Sequence, residues 1–182
     1  VALAPPLLEL EHVCNAVPLP VFAQHVDPDT YGAHTGQITA RDVKKLGVRG
    51  TILNHSERKL PFLVLQRTVQ ECQQDKLVTV VCAASPKEAN RIARLHPDYI
   101  AYEPPELIGG NRSVTSAEPG IIAKAVRSVR RRSPRTRLLV GAGVQTREDI
   151  RTALKLGASG VLIGHAVPKA KDPKRFLESL LS

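Results

Sequence analysis

Short apolar runs rich in β-branched residues alternate with amphipathic stretches along this chain of 182 residues. Runs of this kind, each predicted to form a strand, begin at Val1, Pro20, Gly47, Leu77, Asp98, Arg137 and Gly160. The stretches between them have helical spacing. In "PKEANRIARLH", for example, one helical face would carry Ala89, Ile92, Ala93 and His96. Alternating strands and helices indicate parallel pairing, so we expect an α/β fold, either an open doubly wound sheet or a closed barrel.

The composition favours a single globular domain over residues 1–182. The chain is 42% hydrophobic, with a mean hydropathy of −0.13. No apolar stretch reaches the roughly 18 residues of a membrane span, and no secretory signal is evident, so we expect a cytoplasmic protein without membrane contact. Cys14, Cys72 and Cys82 lack the paired spacing of a metal site, so we predict reduced thiols and no bound metal.

The charge is strongly positive and unevenly distributed. A net charge of +9 and a pI near 9.8 favour anionic partners such as phosphorylated metabolites or nucleic acid. Between Pro119 and Arg147 there are eight basic residues and no acidic one, with the highest density from Arg127 to Arg137. A solvated helix end explains this arginine segment as well as an RNA contact does, because a basic patch attracts nucleic acid without regard to sequence.

Two predicted strands end in residues suited to acid–base chemistry. His55 and Glu57 follow the strand in "TILNHSE", and Glu103 follows the one in "YIAYE". Functional residues of parallel α/β proteins lie at the carboxyl ends of strands. A carboxylate can remove a proton next to a carbonyl that an imidazole polarises, so the pair suggests enolisation. A structural histidine and a salt-bridged loop glutamate are the alternatives.

Glycine turns after the last two predicted strands suggest an anion site. Gly141 and Gly143 follow one strand, and Gly164 and His165 follow the next. Small residues there let backbone N–H groups approach a phosphate. In "EPPELIGG", Gly109 would lie at the tip of a lid that shields an enediol phosphate from water. An ordinary glycine-rich surface loop is the alternative.

The chain resembles archaeal-type triosephosphate isomerases. The resemblance extends from Val1 to the end of the chain and rests on "VFAQHVDP", "GAHTGQIT", "LNHSE", "YEPPELIG", "GAG" and "KAKDP", which occur in this order. It implies a (β/α)8 barrel that interconverts dihydroxyacetone phosphate and D-glyceraldehyde 3-phosphate without a cofactor. A glutamate base and a histidine electrophile are the arrangement by which this enzyme itself is generally described. The resemblance therefore implies Glu103 as base, His55 as electrophile and Glu57 as a supporting carboxylate.

The resemblance also implies phosphate contacts and an assembly. Backbone groups of Ile108, Gly143, Gly164 and His165 would bind the phosphate. The segment Tyr31 to Thr39 is similar to the protruding loop through which subunits interlock, which implies a homotetramer or a dimer; a solvent-exposed turn is the alternative. Family members begin with a strand bearing an Asn-x-Lys motif, and no counterpart precedes Val1. We therefore expect the first β/α unit to be missing from this chain and, because it contains no methionine, a longer encoded product. The alternative function is an inactive relative that uses its basic surface to bind RNA or a ribonucleoprotein.

Overall fold

Two compact units make up the fold in the computed structural model, which describes residues 1–30, 32–108, 113–117 and 119–181. The first unit is Val1–Cys82 and the second is Ala83–Ser182. The predicted lid glycine Gly109 lies outside the described residues, as does Tyr31 at the start of the predicted interlocking loop. Within the described residues, no helix combines the length and the apolar character needed to cross a membrane.

The strands of the first unit pair in parallel. They are β1 (Phe22–Ala23), β2 (Gly50–Leu53) and β3 (Val78–Ala83), whose last residue is the first of the second unit. β2 lies between β1 and β3, with Gly50 opposite both Phe22 and Val78. β3 is buried along most of its length, as expected for a parallel strand covered on both faces.

The second unit repeats this arrangement. Its strands are β4 (Tyr99–Tyr102), β5 (Arg137–Val140) and β6 (Gly160–Val161). β5 lies between the other two, with Tyr99 opposite Arg137 and Leu139 opposite Gly160. Because all the pairs are parallel, the carboxyl ends of β4, β5 and β6 point the same way, and so do their amino ends.

Each unit also contains helices, most of which lie between successive strands along the chain. The first unit contains α1 (Leu10–Ala16), α2 (Ala40–Lys45) and α3 (Phe62–Gln74). The second contains α4 (Pro86–Ile92), α5 (Val114–Ala117), α6 (Pro119–Arg132), α7 (Arg147–Lys155) and α8 (Pro173–Leu181). The helix starts follow their sequences: Ser85 caps α4 by accepting the Glu88 N–H, and Thr146 caps α7 by accepting the Asp149 N–H.

Two sequence expectations differ from the structure in detail. The predicted strand at Val1 is reduced to one parallel bridge between Leu3 and Val21, because Pro5 and Pro6 follow at once and lack the N–H groups a longer ladder needs. The helical face predicted for "PKEANRIARLH" ends early. Ala89, Ile92 and Ala93 are buried, but His96 is exposed in the left-handed region with φ 51°. A histidine in that conformation ends the helix instead of extending its buried face.

Candidate active site

In the first unit, His55 is placed by the residue before it. Asn54 follows β2 directly and adopts the left-handed region with φ 59°, which asparagine tolerates better than most residues. Its buried side chain donates to the Cys82 carbonyl at 2.8 Å and accepts the Leu60 N–H at 3.0 Å. These two bonds fix the turn between β2 and the segment that carries the imidazole.

The His55 ring lies at the start of the one-turn 3-10 helix Ser56–Arg58. Its Nδ1 lies 3.4 Å from the Glu57 N–H nitrogen and 3.3 Å from the Glu57 carboxylate. These contacts require opposite tautomers, since an Nδ1 that accepts the N–H cannot also donate to the carboxylate. The Glu57 side chain is 87% exposed, so solvent weakens its pull. We therefore assign the ring proton to Nε2, which leaves that atom as a donor.

Asp27 stabilises the chain around this turn through hydrogen bonds. It is 8% exposed and its carboxylate accepts from Arg58 at 3.3 Å, from His25 at 3.1 Å and from the Ile38 N–H at 2.8 Å. Burial lowers the pKa of His25 and Arg58 adds to this effect, which together outweigh the opposing hydrogen bond to Asp27. His25 is consequently neutral near pH 7, and Asp27 ties the turn after His55 to the segment ending at Ile38.

In the second unit, the Glu103 carboxylate emerges where β4 ends. Its backbone N–H donates to the Ala83 carbonyl at 2.9 Å, and the residue is 7% exposed. A Cβ atom added to Gly141 would lie 2.5 Å from Glu103 Oε1 and 2.6 Å from its Cγ. Glycine at 141 is therefore required for the carboxylate to occupy its position, a role that the sequence analysis did not identify.

A polar network secures the turn after β5. Ala142 and Gly143 adopt left-handed conformations with φ 72° and 68°, and the Ala142 carbonyl accepts the Val114 N–H at 3.2 Å. Thr115 Oγ1 donates to Asp149 at 2.9 Å, and the N–H of Gln145 donates to the same carboxylate at 3.2 Å. Asp149 thus joins the start of α5 to the turn that leads into α7.

The charge state of Asp149 follows from these contacts. It forms a capping box with Thr146 at the start of α7. Partial burial acts to raise the pKa of Asp149, but hydrogen bonds from Thr146, Gln145 and the Ser113–Thr115 pair outweigh it, and the pKa lies below its ordinary value. The network therefore stabilises the ionised carboxylate.

The turn after β6 is more open. Gly164 is exposed, and among the described residues nothing lies within 4 Å of the position that a Cβ would take there. His165 is half-buried, and its carbonyl accepts the Lys169 N–H at 3.1 Å. Ile108 is also half-buried and ends the 3-10 turn that follows Pro104. Neighbouring side chains do not explain glycine at 164, so its role as a phosphate contact stays a prediction.

The predicted site residues therefore divide between the units. His55 and Glu57 lie in the first; Glu103, Ile108, Gly141, Gly143, Gly164 and His165 lie in the second. Within the first unit His55 contacts Glu57, and within the second the Glu103 side chain lies against Gly141. Sequence reasoning missed Asn54 and Asp27. An asparagine directly after a strand is a signal for the first, whereas Asp27 has no local signal because Arg58 is 31 residues away.

Carboxylate and imidazole groups that follow the carboxyl ends of parallel strands are typical of α/β enzymes with acid–base chemistry. Comparisons with known proteins specify which one. A sequence model of the triosephosphate isomerase family matches residues 1–180. The chain belongs to the triosephosphate isomerase family, which confirms the α/β barrel class and the isomerase activity predicted from the sequence.

Curated relatives carry the same name. The triosephosphate isomerase of Methanoculleus marisnigri is 43% identical over 182 residues, which is 100% of this chain and 82% of the relative. The triosephosphate isomerase of Methanocaldococcus jannaschii is 38% identical over 181 residues, 100% of this chain and 83% of the relative. That of Methanothermus fervidus is 36% identical over 182 residues, with 100% and 82% covered. The comparisons give no support to the alternative of an inactive RNA-binding relative.

Proposed function

We propose that the chain interconverts dihydroxyacetone phosphate and D-glyceraldehyde 3-phosphate, with Glu103 as the base and His55 as the electrophile. The observation that carries the proposal is Glu103, a residue that is 7% exposed at the end of β4 and whose side chain is accommodated by Gly141, in a chain matched by this family. A buried carboxylate of this kind is protected from water, as a base that acts on carbon requires.

The proposed reaction moves one proton between adjacent carbons. Glu103 removes a proton from the carbon next to the carbonyl while His55 Nε2–H donates to the carbonyl oxygen as it gains negative charge. His55 passes its Nε2 proton to that oxygen and takes up the hydroxyl proton of the other carbon, while the carbon proton held by Glu103 is delivered to the neighbouring carbon; this regenerates both the carboxylate and the neutral imidazole. Glu57 would orient the imidazole through its contacts at Nδ1, from its backbone N–H at 3.4 Å and from its carboxylate at 3.3 Å.

The substrate phosphate would bind to backbone N–H groups. The left-handed conformations of Ala142 and Gly143 form a compact turn after β5, and Gly164 is exposed after β6. Successive N–H groups in such turns favour anions. Gly109 and Ile108 would close over the phosphate, and His165 would contribute its backbone. This contact set rests on the family resemblance and on the openness at Gly164.

Glu103 provides the most direct test of the assignment. In a coupled assay, Glu103→Gln should lower kcat by about 10³-fold, since it removes the base, and Glu103→Asp should lower it less. Glu148→Gln is a matched control, because Glu148 is exposed on α7 and its ion pairs with Arg151 and Lys155 are at 3.9 and 4.0 Å. If Glu103→Gln kept the kcat of the control, a different residue would be the base.

We also propose a cytoplasmic homo-oligomer. The segment 32–39 supports this, since Gly32, Ala33 and Gly36 are exposed while Asp27 anchors its end through the Ile38 N–H. An exposed loop on a fixed base suits insertion into a neighbouring subunit. Light scattering tests the assembly: a monomeric mass for the active protein would contradict it.

A further inference from the structure

A cavity of about 440 Å³ opens in the second unit, at the amino ends of β5 and β6. It is lined by the end of α6, the loop from α6 into β5 and the loop from α7 into β6. Glu103 follows the carboxyl end of β4, whereas Arg137 begins β5, which is the neighbouring strand in parallel register. The cavity therefore lies at the opposite end of these strands from the proposed base.

Three arginines line this cavity. Arg130 belongs to the last turn of α6, Arg135 to the loop that follows, and Arg137 to the start of β5. No ion pair within the described part of the chain involves any of the three. Like charges gathered around one concavity repel each other, so an anion placed among them would be stabilised.

The end of α6 accounts for only part of this charge. The C-terminal carbonyls of a helix favour nearby cations, which explains Arg130 and its neighbours on the helix. Arg135 and Arg137 lie beyond the helix. Arg137 is held by Tyr99 instead: its guanidinium lies 6.0 Å from the ring centroid and its Nη1 is 3.5 Å from the hydroxyl. These two arginines therefore point to a site that the helix alone does not explain.

The loop that carries Arg135 is fixed in place. Thr136 Oγ1 donates to the Pro97 carbonyl at 2.7 Å and shares a hydrogen bond of 2.7 Å with Ser133. Ser133 in turn contacts His96 Nδ1 at 3.0 Å. Because Ser133 and Thr136 are buried, the cavity wall is already formed, and binding would require little ordering of the chain.

We propose that this cavity binds a compact anion that carries two or more phosphate groups. Guanidinium groups bind phosphate oxygens in bidentate fashion, and three of them exceed the need of one phosphate. The residues that line the cavity include no aromatic ring on which a nucleobase could stack, so the phosphates would supply the recognition. The concave shape favours a small ligand over an extended nucleic acid. The ligand would be distinct from the triose substrate.

Calorimetry with pyrophosphate and tripolyphosphate tests the proposal, with orthophosphate as a weaker probe. The lining variant Arg130→Gln/Arg135→Gln/Arg137→Gln should bind pyrophosphate at least about tenfold more weakly than the unchanged chain. The control Arg127→Gln/Arg131→Gln/Arg132→Gln removes equal charge from the same segment, but none of its residues lines the cavity. It should retain the affinity within about threefold, because these side chains do not line the cavity and salt screens exposed charges that do not contact the ligand.

Several results would overturn the proposal. Equal weakening in both variants would mean general attraction to the basic surface, and stronger binding of single-stranded RNA than of tripolyphosphate would indicate a nucleic-acid face. Displacement of pyrophosphate by saturating dihydroxyacetone phosphate would place it in the substrate site. If the lining variant failed to fold, Arg135→Gln alone would serve, since Arg135 is exposed in the loop after α6. Undiminished affinity in that variant and in Arg137→Gln would also contradict the site.

Discussion

In each unit, a strand ends in a turn that contains a residue in the left-handed region and lies next to a predicted site residue. The two units fix this turn by different means. In the first unit, Asn54 after β2 forms two side-chain hydrogen bonds, at 2.8 and 3.0 Å. In the second, Ala142 after β5 has no polar side chain, and its carbonyl accepts the Val114 N–H instead. The turn after β2 is therefore held by a side chain, and the turn after β5 by the backbone.

The two units also differ in the reason why each requires a glycine at a particular position. A Cβ at Gly50 would lie 2.5 Å from the Phe22 ring and 2.6 Å from the Val78 carbonyl, whereas a Cβ at Gly141 would meet only the Glu103 side chain at the three nearest positions. A ring and a backbone carbonyl within a sheet cannot move without disturbing the strands. A glutamate side chain can rotate. One glycine therefore protects the fold and the other the position of a carboxylate.

In this comparison, the largest expected effects come from replacing Gly141 or Gly50 with alanine. Gly141→Ala should lower kcat/KM by about 100-fold, because a misplacement of the base by about 1 Å costs that much, while the fold is retained. Gly50→Ala should instead destabilise the protein by about 1–3 kcal/mol through overpacking. The coupled assay and urea unfolding measure the two effects. The comparison fails if Gly141→Ala unfolds the chain or if Gly50→Ala is inactive while stably folded.

Asn54 gives the next effect in size. Asn54→Ala should cost about 2–3 kcal/mol of unfolding free energy, because it removes two hydrogen bonds and places alanine in the left-handed region. Asn54→Gly removes the same bonds without that strain, so it should cost about 1 kcal/mol less. Urea unfolding distinguishes the two. Equal losses of unfolding free energy would mean that the left-handed backbone conformation at position 54 does not affect the stability of the turn after β2.

The sequence predicts the strands and the strand-end residues well, because both depend on local pattern. Buried parallel strands are continuous apolar runs, so β3 and β4 could be located, and Glu103 follows directly from where β4 ends. The Thr146 cap of α7 is equally local. The first predicted strand shows the limit: its apolar run favours a strand, and only the prolines that follow it, Pro5 and Pro6, indicate that the ladder is short.

Contacts between distant positions could not be predicted. The need for Gly141 depends on its proximity to Glu103, 38 residues earlier, which only the pairing of β4 with β5 establishes. The same holds for Asp27, whose partner Arg58 is 31 residues away. Spacing along the chain reveals which residues share a face, but not which neighbouring element they meet. Supporting residues are therefore missed more often than the reactive groups at strand ends.

Asp149 allows a smaller test in the second unit. Asp149→Asn should cost about 1–2 kcal/mol, since hydrogen bonds to a charged acceptor that link α5 to the turn after β5 are weakened. Its pKa is lowered in the folded chain, so this stability is present above about pH 4 and is lost as the pH falls through the folded pKa. Urea unfolding should show the difference at pH 7 and a smaller one at pH 3.

The neighbouring carboxylate is the control for that measurement. Glu148 is exposed, and its contacts with Arg151 and Lys155 are long, so Glu148→Gln should change stability by less than about 0.5 kcal/mol. If both substitutions changed the unfolding free energy equally at pH 7 and at pH 3, the Asp149 network would not stabilise the turn after β5.

The smallest expected effect is the pH response of the first unit. Burial and Arg58 lower the pKa of His25, so the folded chain resists a proton that the unfolded chain accepts near pH 6.5. The contribution of His25 is therefore fully present above about pH 6.5 and declines as the pH falls towards the folded pKa. His25→Gln retains a nitrogen donor for Asp27 but does not titrate. Its stability should fall less between pH 7 and pH 5 than that of the unchanged chain, by under about 1 kcal/mol. An identical fall in both would mean that His25 takes up its proton without strain, and that Asp27, not burial, determines its charge.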